Sequence, residues 1–257
     1  MKLIRMPTDE MIPTERDDYI EVGFTELLDN LSKGALTPTI FKGPKGCGKT
    51  LALEQWCAQH GIPMVRENCT SGTDKSDLIG TFSMQGANEV VFCLGALPTA
   101  IEIANEAGMC VLVLEEVNAL RPNVQSTIYS VADYRRSVEA SSLGKNFRLK
   151  DGAQLWVLGT MNPGYSGTYQ LSEALRSRFV FIEVLYMAEA REKELLEATF
   201  ETPPDVEERR IAARLLQFAA ESRTYDWDYA LSTRDLEDVV RCYSCVGLEK
   251  ALKILVG

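Results

Sequence analysis

The sequence predicts a three-layer α/β fold, with a parallel sheet between helices, followed by a small helical domain. Three stretches predict it. Residues 39–41 are a short apolar run leading into Gly-Pro-Lys-Gly-Cys-Gly-Lys-Thr at 43–50, and a helical pattern follows. Residues 109–114 form a continuous apolar run ending in Glu115 and Glu116, which is how a parallel strand buried on both faces reads. Beyond about residue 187 the pattern is helical. The expected boundaries are therefore 1–187 for the α/β domain, with 1–19 as an N-terminal arm, and 188–257 for a helical lid that is short at its end.

Taken in order, residues 1–19 are polar and contain Pro7 and Pro13, so they read as an arm. A helix is expected over 21–33, stopped by Gly34. After the strand and glycine loop, a helix over 49–60 ends at Gly61, with His60 as a cation in its last turn. Residues 63–67 read as a strand, and 68–80 as a polar loop with a helical turn. Residues 81–84 and 89–93 flank Gln85-Gly86-Ala87-Asn88, a hairpin signal. A helix over 96–107 ends at Gly108. A second hairpin is expected over 135–150, turning at Ser141, Ser142, Gly144 and Lys145. Cys242 and Cys245 stand one helical turn apart with no second cysteine pair, and His60 is the only histidine. They read as neighbours on one helix face rather than as metal ligands.

Residues 43–50 match G-x-x-x-x-G-K-[ST] in full. Phosphate binding needs this build. The glycines let the backbone curl until successive N–H groups point inward, and the following helix aims its positive end at the same spot. The expected nucleotide contacts are Gly43, Pro44, Lys45, Gly46, Cys47, Gly48, Lys49 and Thr50, with Leu51 next on the helix. Lys49 is placed to reach the β- and γ-phosphates, and the Thr50 hydroxyl to ligate Mg²⁺. Cys47 is either a thiol activated by the adjacent N–H groups and Lys49 or a small filler residue. Ligands of open α/β sheets sit beyond the carboxyl ends of the strands. Glu115 and Glu116 are thus expected toward the phosphates, Glu115 serving the Mg²⁺ shell and Glu116 orienting the attacking water. The ligands implied are ATP and Mg²⁺.

Composition limits the rest. The 257 residues are 46% hydrophobic and 25% charged, with a net charge of −10. That balance opposes a broad nucleic-acid surface, which needs clustered Lys and Arg. The N-terminus lacks the apolar core of a signal peptide, and no apolar run is long enough to span a bilayer. Seven cysteines suit a reducing compartment, and a cytoplasmic location is expected.

Further segments carry a family resemblance. They are Glu115-Glu116-Val-Asn118 followed by Pro122-Asn-Val-Gln125-Ser126; Leu158-Gly-Thr-Met-Asn162-Pro-Gly-Tyr; Leu171-Ser-Glu-Ala-Leu-Arg176-Ser-Arg178-Phe; and Ser232-Thr-Arg234-Asp-Leu. In order and spacing they resemble the acidic, sensor-1, arginine-finger and sensor-2 motifs of the MoxR branch of AAA+ ATPases. Ser76-Asp-Leu-Ile-Gly80 and Phe92-Cys-Leu-Gly-Ala-Leu also fit, so the resemblance covers residues 36–246. The phosphate loop and the Asn-Pro-Gly-Tyr segment look closest to the CbbQ/NorQ/GvpN group, and the arginine-finger segment is also similar to midasin-type modules. There is one departure: Glu115 stands where the family usually has Asp, and its extra methylene matters to a near-octahedral Mg²⁺ shell.

The resemblance implies a P-loop NTPase domain of AAA+ type and further roles. Asn162 would hydrogen-bond the γ-phosphate or the attacking water. Arg178 would act as a finger on a neighbouring subunit's nucleotide, with Arg176 as second candidate. Arg234 would touch the γ-phosphate from the lid, and Ile20 would pack on adenine. Asp77 reads equally as a helix cap. The family also implies a homo-oligomeric, hexameric ring that remodels a protein client, installing a metal centre or reactivating an enzyme with a von Willebrand A domain partner. The two hairpins would face the pore or a partner, or be plain edge strands. The rival reading is a nucleotide-switched assembly protein that hydrolyses slowly, and a nucleic-acid motor is a third.

Overall fold

The computed structural model describes residues 2–21, 23–86, 89–164, 167–200, 204–224 and 230–256. The chain forms two units. The first comprises residues 1–19, 23–42 and 49–183, the second residues 20–22, 43–48 and 184–257.

In the first unit the elements run β1 (Lys2–Ile4), α1 (Phe24–Ser32), β2 (Thr39–Lys42), α2 (Lys49–His60), β3 (Met64–Asn68), α3 (Lys75–Ile79), β4 (Gly80–Gln85), β5 (Glu89–Leu94), α4 (Ala96–Ala107) and β6 (Met109–Glu115). They continue with α5 (Pro122–Gln125), α6 (Tyr129–Ala132), β7 (Ser137–Ala140), β8 (Lys145–Arg148), β9 (Gln154–Met161), α7 (Glu173–Arg176) and β10 (Val180–Glu183). The main sheet is fully parallel in the order β10-β2-β9-β6-β3. From β2 the chain passes through α2 to the far edge at β3, works back through β6 and β9, and crosses to β10 on the other side of β2. The order therefore switches direction at β2, and the carboxyl end beside such a switch point is where α/β sheets hold ligands.

Alternation along the strands makes the three layers. Cys110, Leu112 and Leu114 of β6 join Leu155 and Val157 of β9 in one cluster with Leu97, Ala100, Ile101 and Ala104 of α4. The intervening side chains face the other way. There Phe41 meets Phe24 of α1 edge-on, with ring centroids 4.8 Å apart, and Trp156 meets Trp56 of α2 at 5.4 Å. Both tryptophans are buried and both indoles are satisfied: Trp56 Nε1 donates to Asp29 Oδ1 at 2.7 Å, and Trp156 Nε1 to the Thr37 carbonyl at 3.1 Å. Such an aromatic pair adds about 0.5–1.5 kcal/mol beyond its area burial.

Two small sheets decorate this sandwich. β4 and β5 form the first expected hairpin, Phe82 opposite Phe92, although Ala87 and Asn88 of its turn lie outside the described residues. The 1–19 segment is more than an arm: β1 pairs in parallel with β5, and Arg5 forms an ion pair with Glu106. Three residues of Lys-Leu-Ile give too short a pattern to read as a strand, and the edge that orders them, Val91–Cys93, is far away in sequence. β7 and β8 form the second hairpin. Asp77 belongs to a reciprocal capping box, its carboxylate accepting from the Asp74 N–H while Asp74 caps α3. His60 stacks on Trp56 and lies 3.3 Å from Asp29.

Among the described residues the second unit carries the helices α8 (Glu189–Thr199), α9 (Val206–Thr224), α10 (Thr233–Val246) and α11 (Leu248–Val256). Leu196, Ile211, Leu215, Leu216, Leu236, Val239 and Val240 form its core, with Cys242 packed against it. At its centre Glu192, 2% exposed, takes two hydrogen bonds from Arg223, at 2.9 and 2.8 Å, and one from Thr233 Oγ1 at 2.6 Å. Among the described residues no helix is long and apolar enough to cross a membrane.

Candidate active site

The site is built at the carboxyl ends of β6 and β9 and the first turn of α2. Lys49 opens α2 and is buried, 7% exposed. Its Nζ donates to Asn162 Oδ1 at 2.8 Å. The same amide turns its Nδ2 the other way and donates to Glu116 Oε1 at 3.2 Å. Asn162 thus links the lysine of the loop motif to the second acid of the strand tip. Residues far apart in sequence meet because β6 and β9 are neighbours, with Leu114 opposite Gly159.

Two residues hold this arrangement in place. Asn118 Nδ2 donates to the Asn162 carbonyl at 3.0 Å, and Thr160 Oγ1 accepts the Glu116 N–H at 3.2 Å. The Thr160 contact fixes an unusual backbone, since Glu116 has φ 51 and ψ 45, in the left-handed region. A non-glycine residue there costs about 1–2 kcal/mol. The turn ends β6 abruptly and leaves the Glu116 side chain exposed at the tip.

The first acid lies deeper. Glu115 Oε2 accepts from Thr50 Oγ1 at 3.4 Å, while Oε1 pairs with Arg66 Nε at 3.3 Å. Burial pushes the Glu115 carboxyl above the ordinary glutamate range, and Arg66 opposes that shift. A hydroxyl and a carboxylate side by side are hard oxygen donors of the kind Mg²⁺ takes. The pair expected to serve the metal is therefore brought together.

The other loop residues belong to the second unit. Gly43 and Gly46 are required by close approach: a Cβ at Gly43 would lie 2.0 Å from the Val184 carbonyl oxygen, and one at Gly46, where φ is +70, 2.5 Å from Ser232. Lys45 accepts at its carbonyl from Tyr186 Oη at 3.3 Å, and the Tyr186 ring carries the Arg223 guanidinium at 3.8 Å. Pro44 is half-buried, Cys47 buried and Gly48 exposed, while Leu51 sits half-buried on α2. Arg234 lies exposed in the first turn of α10, where Ser232 and Asp235 form a reciprocal capping box. Its Cβ would be 3.5 Å from a side chain at Gly46. Ile20 is half-buried in the same unit.

The two arginine candidates separate. Arg178 Nε donates to Asp133 Oδ2 at 3.2 Å and Nη1 to the Ala174 carbonyl at 2.6 Å, with its guanidinium 5.0 Å from the Tyr129 ring centre. Arg135 shares Asp133, and together these contacts hold the Asp133 carboxyl well below the usual range. Tyr129 in turn shares a 2.7 Å hydrogen bond with Ser172, the N-cap of α7. Arg176 is exposed and lines a cavity of about 650 Å³ with Lys42, Asn118, Tyr169 and Phe181. Tyr165 of the Asn-Pro-Gly-Tyr segment lies outside the described residues.

Sequence reasoning missed Arg66, Asp133, Thr160, Tyr186 and Arg223. Arg66, Asp133, Tyr186 and Arg223 sit in no spacing that announces them, whereas Thr160 lies two residues before Asn162 and Asn118 three residues past Glu115, inside the segments that carry the resemblance.

Comparison with known proteins gives the family and the fold. The family described as AAA domain (dynein-related subfamily) matches residues 38–179. An uncharacterized protein of Staphylococcus haemolyticus is 28% identical over 235 residues, covering 88% of this chain and 84% of its own. An uncharacterized Staphylococcus aureus protein is 26% identical over 223 residues, covering 83% and 81%. Among solved structures, NtrX from Brucella abortus, determined in complex with ADP, aligns with a TM-score of 0.57 at 17% identity over 88% of this chain. The chain spans 51% of the NtrX chain. A putative ATPase from Cytophaga hutchinsonii aligns with a TM-score of 0.54 at 20% identity, covering 91% and 80%. Both share the fold. With more than half of its residues matched by that family and the loop lysine, strand-tip acids and Asn162 assembled at one sheet edge, the chain belongs to the dynein-related AAA domain family and is a nucleotide-binding ATP hydrolase of the AAA+ class.

Proposed function

We propose that this ATPase is Mg²⁺-dependent, is of MoxR type near the CbbQ/NorQ/GvpN group, and assembles into a hexameric ring that remodels a protein client. The observation that carries the catalytic half is the chain Lys49–Asn162–Glu116. Lys49 steadies the γ-phosphate and Glu116 accepts the proton of the attacking water, while Asn162 keeps both groups in register without competing for the metal. Thr50 and Glu115 are the residues that would hold Mg²⁺, which supplies charge neutralisation at the phosphates when bound.

The ring, the client and the finger role of Arg178 rest on the resemblance. The client class, metal-centre insertion or enzyme reactivation with a von Willebrand A partner, comes from the same resemblance. One feature favours the slower, nucleotide-switched alternative: Glu115 stands where the resembling family usually has Asp. Steady-state ATPase measurements with light scattering, with and without ATP and Mg²⁺, separate these readings. Mg²⁺-stimulated turnover that depends on assembly supports the first, nucleotide-driven assembly with negligible turnover supports the second, and neither response refutes both. Stimulation by DNA would instead point to a nucleic-acid motor. Co-purification from the native host identifies the client.

A further inference from the structure

By the resemblance, Glu115 stands where an aspartate is usual, one methylene and about 1.5 Å of reach shorter. The longer side chain meets a partner an aspartate would not reach. Thr50 and Glu54 lie one turn apart on α2, so both project from one face of that helix. Arg66 lies on β3, opposite Val113 in the register and two residues short of the Asn68–Glu115 pair, so its guanidinium reaches forward along the strand. Its Nη1 donates to Glu54 Oε1 and its Nε pairs with Glu115 Oε1 at 3.3 Å. The other Glu115 oxygen, Oε2, is the one that accepts from Thr50 Oγ1. The four side chains form one line: Thr50, Glu115, Arg66, Glu54.

We propose that Arg66, anchored by Glu54, is a positioning residue that holds Oε1 of Glu115 so that Oε2 faces Thr50, and that this clamp lets a glutamate serve where an aspartate is usual. It rests on the reading of Thr50 and Glu115 as the Mg²⁺-binding pair. A glutamate has one more rotatable bond than an aspartate and must be ordered before it can serve a metal that demands near-octahedral geometry. An isolated exposed ion pair would order little. A planar guanidinium held between two carboxylates, one on a helix and one on a strand, presents a fixed fork and loses less freedom in forming each contact. Because Thr50 and Arg66 take different oxygens, the clamp sets the rotation of the carboxylate as well as its position.

Opposing this is the field of the guanidinium, a positive charge near a cation's site. The two effects have opposite signs, so one measurement separates them. If positioning dominates, removing Arg66 weakens Mg²⁺ binding; if the field dominates, removing it tightens Mg²⁺ binding. Groups that orient a metal ligand from behind typically account for about 10–100-fold in metal affinity.

The test uses the full chain and a fluorescent, non-hydrolysable ATP analogue, titrated with MgCl₂ to find the half-saturating Mg²⁺ concentration for Mg-dependent binding. Arg66→Gln is expected to raise that concentration by about 10-fold or more. Arg66→Lys, which keeps the charge but loses the fork, should also raise it, and Glu54→Gln should raise it less. In a Glu115→Asp background Arg66→Gln should have less than about a threefold effect, since the shorter carboxylate has no clamp to lose. An equal shift in both backgrounds, no shift, or tighter Mg²⁺ binding would overturn the proposal. If Arg66→Gln fails to fold by thermal melting, Arg66→Lys and Glu54→Gln carry the same comparison. An unmodified chain whose analogue binding ignores Mg²⁺ refutes the metal-site reading itself. A Mg²⁺-responsive chain insensitive to Arg66 refutes only the clamp.

Discussion

Replacing Asn162 by alanine removes two hydrogen bonds with one substitution: the 2.8 Å contact from Lys49 and the 3.2 Å contact to Glu116. Each involves a charged group, and such bonds contribute about 1.5–3 kcal/mol apiece, less when exposed as Glu116 is. Taking about 2–4 kcal/mol for the pair, and about 1.4 kcal/mol per tenfold change in rate, turnover should fall roughly 30- to 1,000-fold. Nucleotide affinity should change far less, because the loop glycines and Lys49 remain. Asn162→Asp sharpens the test. A carboxylate would still attract Lys49 but would stand against the Glu116 carboxylate, so nucleotide binding should persist while turnover falls at least as far as in the alanine variant. A coupled ATPase assay gives kcat, a fluorescent nucleotide gives Kd, and circular dichroism confirms the fold. A folded Asn162→Ala protein that hydrolyses within twofold of the unmodified rate would refute the link between Lys49 and Glu116 as a working part of the site.

The other predictions fall on different parts of the chain. Glu116→Gln should lower turnover by roughly 10²–10⁴ with ATP affinity largely retained, whereas Lys49→Ala should weaken binding itself, as isothermal titration would resolve. Arg178→Ala should assemble and bind ATP yet hydrolyse about 10³-fold or more slowly, and mixing it with Glu116→Gln should restore some activity through shared interfaces; an assembled Arg178→Ala protein at the normal rate moves the assignment to Arg176. In thiol labelling at pH 8, exposed Cys245 should react first, and Cys57 and Cys110, whose thiols burial pushes up to about 12, should stay inert in the native protein; Cys47, if activated, should be protected by Mg-ATP, and equal rates with and without it make it a filler. Glu192→Ala takes from the largely buried Arg223 its carboxylate partner, leaving it the Leu231 carbonyl and the Tyr186 ring, and should cost about 3 kcal/mol in chemical denaturation.

Much of the chemistry was legible because it is local. Residues 43–50 must be contiguous to wrap a phosphate, and the apolar run into Glu115 and Glu116 reads as a buried parallel strand, which it is, with Cys110–Leu114 buried. Helices α2 and α4 run over the stretches the pattern implied, 49–60 and 96–107. What the sequence alone left open depends on which strand lies beside which. Asn162 meets Lys49 and Glu116 because β9 sits between β2 and β6, a pairing no spacing encodes. Arg66 reaches Glu115 because β3 and β6 run parallel in one register, and a one-residue slip would turn it to the other face. The three residues of β1 become a strand only where β5 offers an edge. Local pattern determined the elements and the reactive groups; long-range pairing, which carries no sequence period, decided which groups touch.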